Sequence, residues 1–319
     1  MASPLSVPAQ EPTTQDEVVT VNTDLLVFPI RVRDKRGAGE LTERDLLLRD
    51  DDNVTSGLYL YPGADRVALV FALDESGSLR EIISQQREAA LGLFGRFGER
   101  SRVAVIRFAQ QPELVSPFGR DTTAASEAFK FNVKANQHTA IFDAAASAVR
   151  AFDALPRVRS ERRIIILISD GLDNASTIKA SAIINAATQK QISFYVIHLP
   201  LFQPREGRLV VRQPAKGFRE LAEKTGGKYF LVGNASSAVL LSENRASNDL
   251  TAVFRAIEDD LRSQYLLGFY AGDGSRDGRN HRFRVTVPNG VEYQVGTQGY
   301  SRTHEFFVNM TRREQKVTK

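Results

Sequence analysis

The chain has 319 residues, 42% of them hydrophobic and 25% charged, a composition that excludes wholesale disorder and collagen-like repetition and suits one large domain or two modest ones. Lysine and arginine number 42 against 38 aspartates and glutamates, so the net charge of +4 is too small an excess to argue for nucleic acid, and the absence of cysteine removes disulfides, thiolate nucleophiles and cysteine metal sites together. No apolar run approaches the roughly 18 residues needed to cross a bilayer, so no membrane span is expected.

Residues 1–16 are polar, carry Pro4, Pro8 and Pro12, and read as a flexible arm without the apolar segment of an export signal. A processed exported protein would open in the same way, and an extracytoplasmic setting, secreted or periplasmic, is the expectation. In residues 17–65 short aliphatic runs at 25–32 and 46–48 are separated by the turn-like Asp34-Lys35-Arg36-Gly37 and Asp50-Asp51-Asp52-Asn53, which predicts strands.

Residues 66–235 change rhythm. Nearly all-apolar strands are expected at 67–73, 103–108, 164–168, 192–197 and 229–232, the pattern of strands covered on both faces. Between them Leu79, Ile82, Ile83, Ala90, Leu93, Phe94 and Phe97 recur at helical spacing, as do Ile141, Ala144, Ala145, Ala148, Val149 and Phe152. Further helices are expected at 177–189 and 217–225, the latter stopped by Gly226-Gly227. Alternating strands and helices predict an α/β class with a doubly wound, mostly parallel sheet in three α/β/α layers.

Residues 236–264 read as a linker and a helix capped by Asn248, with Leu250, Val253, Phe254, Ile257 and Leu261 on one stripe that packs as core. Strands follow at 265–270, 283–287 and 291–295 within residues 265–301, and 302–319 form a charged, loose tail. Strands on both sides of the α/β block are expected to pair into one small flanking β-domain in which that block is inserted.

Chemistry concentrates where strands end. The first α/β strand empties into Asp74-Glu75-Ser76-Gly77-Ser78, which puts a carboxylate and two hydroxyls on one tight loop. Residues 164–168 run into Ser169-Asp170-Gly171-Leu172-Asp173, a second acidic loop. Ligands of open α/β sheets bind outside the carboxyl ends of strands where the strand order reverses, so Asp74 and Asp170 are expected to face one cavity, with Thr139 offering a third oxygen at a helix start. Small hard cations favour oxygen donors in few-ligand, water-retaining shells, which suits Mg²⁺, with Mn²⁺ or Ca²⁺ able to occupy the same cage.

Asp74-x-Ser76-x-Ser78, Thr139 and Asp170 resemble, in residue type, order and place, the metal-ion-dependent adhesion site of von Willebrand factor type A domains. The flanks agree, Thr139-Ala140-Ile141-Phe142-Asp143-Ala144 being similar to that family's threonine loop. The strands at 25–50 and the segment Leu261-Arg262-Ser263-Gln264-Tyr265-Leu266-Leu267-Gly268-Phe269-Tyr270 further resemble a bacterial subgroup, the VWFA-related acidobacterial domain proteins, so that the resemblance spans roughly residues 18–300. It implies a Rossmann-like fold and a non-enzymatic, metal-dependent adhesion module: Asp74, Ser76, Ser78, Thr139 and Asp170 hold a divalent ion that accepts an Asp or Glu side chain of a protein partner or of another copy of the chain. The alternative is an adaptor subunit of an ATP-driven assembly or metal-insertion complex.

Other motifs carry less. Ser76 is placed on a strand-to-helix turn as a hydrolytic nucleophile is, with His138 in reach, but Asp74 and Ser78 occupy the glycine positions of the Gly-x-Ser-x-Gly frame, and catalysis is not expected. The four histidines, His138, His198, His281 and His304, lack metal-ligand spacing, and His198 at a strand end reads as structural. Asp273-Gly274-Ser275-Arg276-Asp277-Gly278 imitates the start of a calcium loop but meets Arg284 where the closing glutamate belongs, so a hairpin turn is expected, and Asp50 to Asn53 reads as an acidic hairpin tip. No phosphate-binding loop or dinucleotide fingerprint is found. Arg205, Arg208 and Arg212 lie in a loop over 199–214 that should emerge on the metal face; they are an ordinary basic loop or a means of steering an acidic partner.

Overall fold

The computed structural model describes residues 24–34, 41–55, 57–62, 66–75, 83, 87–97, 100–130, 138–156, 158, 161–232, 250–271, 277, 279–287, 291–295 and 299–301. The N-terminal arm, the charged tail, the 236–249 linker, Asn248, His304, Ser76 and Ser78 lie outside the described residues.

The N-terminal strands are β1 (Asp24–Asp34), β2 (Leu47–Asp50), β3 (Asn53–Thr55) and β4 (Tyr59–Pro62). The α/β block contributes β5 (Arg66–Asp74), β6 (Arg102–Phe108), β7 (Pro112–Gly119), β8 (Glu161–Ser169), β9 (Ile192–His198), the hairpin β10 (Phe202–Arg205) and β11 (Arg208–Val211), and β12 (Tyr229–Leu231). Its helices are α1 (Arg87–Gly95), α2 (Thr123–Ala128), α3 (Ile141–Ala151), α4 (Ala180–Gln189), α5 (Phe218–Glu223) and α6 (Thr251–Ser263). The chain returns through β13 (Gln264–Ala271), β14 (Asn280–Thr286), β15 (Val291–Val295) and β16 (Gly299–Ser301).

The central sheet has the order β12-β9-β8-β5-β6-β7, parallel except for the antiparallel edge β7. Side chains alternate across a strand, so β5 feeds two cores at once. Val67, Leu69, Phe71 and Leu73 pack with residues of α1, α2 and α6, whereas Ala68, Val70 and Ala72 pack with α3, α4 and α5. That is the three-layer α/β/α arrangement. α3 shows the local cause: an alanine-rich run of high helix propensity buries Ile141, Ala144, Ala145, Ala148 and Val149 at helical spacing. Leu250, Phe254, Ile257 and Leu261, from beyond residue 235, pack into the same core face. The residue at the N-cap of α6 is Leu250. Among the described residues no helix is long and apolar enough to cross a membrane.

Strands from the two chain ends interleave in two antiparallel sheets, β15-β1-β13-β4 and β16-β14-β2-β3, which share a core that includes Phe28, Ile30, Leu48, Leu267, Phe269 and Phe283. A buried polar cluster ties this β-domain to the α/β layers. Asp260 of α6 accepts from Arg31 of β1 (Nε to Oδ1 and Nη2 to Oδ2, both 2.7 Å), from Tyr195 of β9 (2.8 Å) and from Gln264 (2.6 Å), and pairs with Lys228 at 2.7 Å. Gln264 in turn accepts from the buried Arg162 at 2.7 Å. Burial opposes the charge on Asp260, but the bonds from Arg31 and Lys228 outweigh it and hold its pKa below the usual carboxylate value.

Candidate functional site

The strand order reverses between β5, whose next neighbour in sequence β6 lies on one side, and β8, which lies on the other. This is the switch point at which open α/β sheets bind ligands, and Asp74 and Asp170 both stand there. Asp74 ends β5 with no solvent exposure, and Ser169, the last residue of β8, donates from Oγ to Asp74 Oδ2 at 2.6 Å. Asp170 follows directly and is itself buried. Its Oδ1 accepts from Leu172 N at 2.9 Å. Burial pushes the Asp170 carboxyl above its ordinary pKa, against the Leu172 bond and the attraction of Arg212.

Thr139 is buried two residues before α3, and its loop is laced to the loop that follows β8. Thr139 N donates to Asn174 Oδ1 at 2.7 Å, while Thr139 O accepts from the amides of Asn174 (3.0 Å) and Ala175 (3.2 Å). The N-cap residue of α3 is Ala140, which offers no side-chain acceptor for the helix's first free amides. Those acceptors come from across the loop: Phe142 N donates to Asp173 Oδ2 (3.1 Å) and Ser176 Oγ (2.9 Å), and Asp143 N to Ser176 Oγ (3.1 Å). In return Asp143 accepts from Thr177 N (3.1 Å) and Ile178 N (2.9 Å). Asp143, Asp173, Asn174 and Ser176 therefore fix how Thr139 stands toward the loop of Asp170.

Below Asp170, His198 at the end of β9 places Nε2 2.8 Å from the Asp170 carbonyl oxygen and Nδ1 on the Tyr229 hydroxyl. Burial holds its pKa below the ordinary value, so a neutral ring supports the loop from beneath. His138 is exposed. Gly171 adopts φ +79°, and a Cβ there would lie 2.6 Å from Pro214 Cβ and 3.1 Å from the Phe218 ring. Gly171→Ala is expected to cost roughly 2 kcal/mol or more, from left-handed strain plus overpacking, read as a lowered urea midpoint.

A second group of potential ligands sits in the β-domain. Asp50, Asp51 and His281 offer ligand atoms within 4.8 Å of one another. Asp51 and Asp52, with φ 45° and 73°, form the two-residue turn between β2 and β3. His281 Nδ1 is 2.6 Å from Asp51 Oδ2 and Nε2 is 3.0 Å from Asp277 Oδ1. Only a doubly protonated ring donates to both, and a metal ion at Nδ1 would have to displace that proton. Burial opposes the charge, but the two carboxylates prevail and raise the His281 pKa above 6.5. A hydrogen bond donated by the Arg279 backbone N–H is the main cause that lowers Asp277 to about 2.

The signs follow from linkage. The His281 contribution is complete below pH 6.5 and fades as pH rises through its folded pKa; that of Asp277 is complete above 3.8 and fades as pH falls toward 2. The stability lost in His281→Gln is thus expected to be greatest between about pH 4 and 6.5 and to shrink above, measured by urea unfolding across pH.

The described oxygen donors at the switch point fit a hard divalent cation: two carboxylates nearly balance its charge, and imidazole nitrogen is turned away beneath the loop. No curated protein matches the sequence. Among solved structures, the conserved hypothetical protein BatB from Bacteroides thetaiotaomicron is similar at 23% identity, covering 61% of this chain and 98% of that one, with TM-score 0.43. A von Willebrand factor type A protein from Catenulispora acidiphila is similar at 14% identity over 83% and 76%, with TM-score 0.44. Proximal thread matrix protein 1 from the mussel byssus, solved with a zinc-occupied MIDAS motif, is similar at 14% identity over 62% and 48%, with TM-score 0.46. Residues 69–172 match the family model of the von Willebrand factor type A domain, a segment that starts within β5 and closes two residues past Asp170. The strand ends bearing Asp74 and Asp170, with Thr139 between them in sequence, all lie within the segment that matches the von Willebrand factor type A model.

Proposed function

We propose that the chain is a non-enzymatic, divalent-cation-dependent protein-binding module, working outside the cytoplasm, that accepts an Asp or Glu side chain of a partner. The observation that supports it most is the pair of buried carboxylates at neighbouring strand ends on the sheet's switch point, Asp74 held by Ser169 and Asp170 one residue on, with the Thr139 loop bonded to the same segment. Asp74 and Asp170 supply charge, and Thr139, Ser76 and Ser78 supply hydroxyl oxygens. Mg²⁺ is the proposed ion, Mn²⁺ and Ca²⁺ being accommodated by the same donors. When bound, such an ion offers a Lewis-acidic position to an incoming carboxylate, without the net negative field that would repel it.

Isothermal titration with MgCl₂ and MnCl₂ tests this. Saturable uptake is expected, lost in Ser76→Ala and in Asp170→Ala while far-ultraviolet circular dichroism stays that of the parent. Equal uptake by parent and variants, or none by the parent, rejects the reading.

A further inference from the structure

The segment between β9 and α5 is a two-stranded hairpin rooted in the candidate metal loop. β10 and β11 pair in the register Phe202↔Val211 to Arg205↔Arg208, closed by Glu206 (φ 51°) and Gly207 (φ 74°) in the backbone of a two-residue turn. Both legs are bonded to the loop of Asp170: Leu199 N donates to Ser169 O at 2.9 Å and Ala215 N to Gly171 O at 2.7 Å, while Arg212 N to Leu201 O (2.8 Å) closes the base. Pro214 packs where a Gly171 side chain would be. The hairpin is held by the same residues that place Asp170.

Among the described residues no ion pair uses its charges, although Arg212 attracts the Asp170 carboxylate. Arg205 and Arg208 stand directly opposite each other, an arrangement that destabilises a hairpin by a few tenths of a kcal/mol or more. Both are exposed, as is Arg212, and none of the three forms an ion pair with a described carboxylate. From 199 to 216 the sequence carries Arg205, Arg208, Arg212 and Lys216 against Glu206 alone, so 4 − 1 = +3. Four strand residues at about 3.3 Å each separate the base, beside Asp170, from the arginine pair at the tip, about 13 Å in all.

We infer that this hairpin is the second half of the binding surface, and that it selects a partner segment in extended conformation with a carboxylate for the ion and another about four residues along, held by Arg205 and Arg208. The inference rests on the metal-dependent reading above. A bare ion takes any accessible Asp or Glu; the arginines would supply the choice among them and hasten encounter, as charges at an interface rim do.

The probe is a fluorescein-labelled nonapeptide with two glutamates four residues apart, compared by fluorescence anisotropy in MgCl₂ with an analogue in which glutamine replaces the second glutamate, the intact chain being the titrant. The two-glutamate peptide is expected to bind at least fivefold tighter, with a steeper loss on added salt. Arg205→Gln/Arg208→Gln is expected to erase that preference while Mg²⁺ uptake by calorimetry stays that of the parent. Retained uptake with an unchanged preference overturns the hairpin's role and leaves the metal reading standing. No uptake, with an arginine-dependent preference that persists in EDTA, overturns the metal reading alone. Absence of peptide binding, or equal binding of a heparin fragment irrespective of Mg²⁺, overturns the assignment of an acidic protein segment.

Discussion

Asp260→Ala is expected to lower the unfolding free energy by about 3–5 kcal/mol, the range found when one member of a buried charge network is removed and its partners remain. The Asp260 side chain is 1% exposed and receives Arg31, Lys228, Tyr195 and Gln264. Removing the carboxylate takes the Asp260 ion pair from Arg31, leaving the Gly226 carbonyl that accepts from Nη2 at 3.0 Å, and it removes the attraction that helps Arg162 to stay charged in the interior. Arg162 is already pushed below its ordinary pKa by burial, and its Nε has no hydrogen-bond partner among the described residues. A second unmet cation nearby is therefore costly. Arg31→Ala alone is expected to lose less, since its guanidinium is partly exposed and Lys228 still serves Asp260. In a double-mutant cycle the two changes should be less than additive by about 1–3 kcal/mol. Urea unfolding of the four proteins decides it: a loss under about 1 kcal/mol for Asp260→Ala would show that the cluster carries little of the link between the β-domain and the α/β layers.

That network could not be read from the sequence. Asp260 is one acid among several on an amphipathic helix, and its arginine lies 229 residues away. The parallel strands, by contrast, are covered on both faces, so runs such as Ile164 to Ile168 are apolar throughout and announce themselves locally. β7 escaped because an antiparallel edge strand with Pro112 and Pro117, and with register shifts opposite Val103 to Ile106, has neither a continuous apolar run nor clean alternation. The β10–β11 hairpin escaped for a related reason: its strands are only four residues long, too short to display a period, and the Glu206-Gly207 dipeptide was the local sign of a turn.

The site divides in the same way. Asp74 and Asp170 were legible because an acidic residue at or directly after the end of a buried strand is chemically out of place unless the strand end is used. Asp143, Asp173, Asn174 and Ser176 were not, because the bonds that fix the Thr139 loop join residues 31–35 apart and depend on how two loops meet. The His281 pin likewise joins the acidic turn after β2 to Asp277, two stretches that each suggest a hairpin tip and no connection between them. What a sequence displays is the chemistry local to one element; what it hides is the pairing of polar groups across elements.

Asp74→Asn is expected to act with opposite signs in the presence and absence of Mg²⁺. In chelator the parent holds two buried carboxylates at adjacent strand ends, and keeping their charge away from water is a standing cost. Asparagine keeps an acceptor for Ser169 Oγ, which donates to Asp74 at 2.6 Å, and removes one charge, so the variant should be as stable as the parent or more so. With Mg²⁺ at about a hundred times its dissociation constant the parent should gain about 2.7 kcal/mol by mass action, and the variant should gain nothing measurable. Thermal unfolding of both proteins with EDTA and across a MgCl₂ series reads the crossing directly. A merely structural role for Asp74 predicts a variant that is weaker under both conditions by the same amount, and parallel melting curves would remove the metal from the account of these two carboxylates.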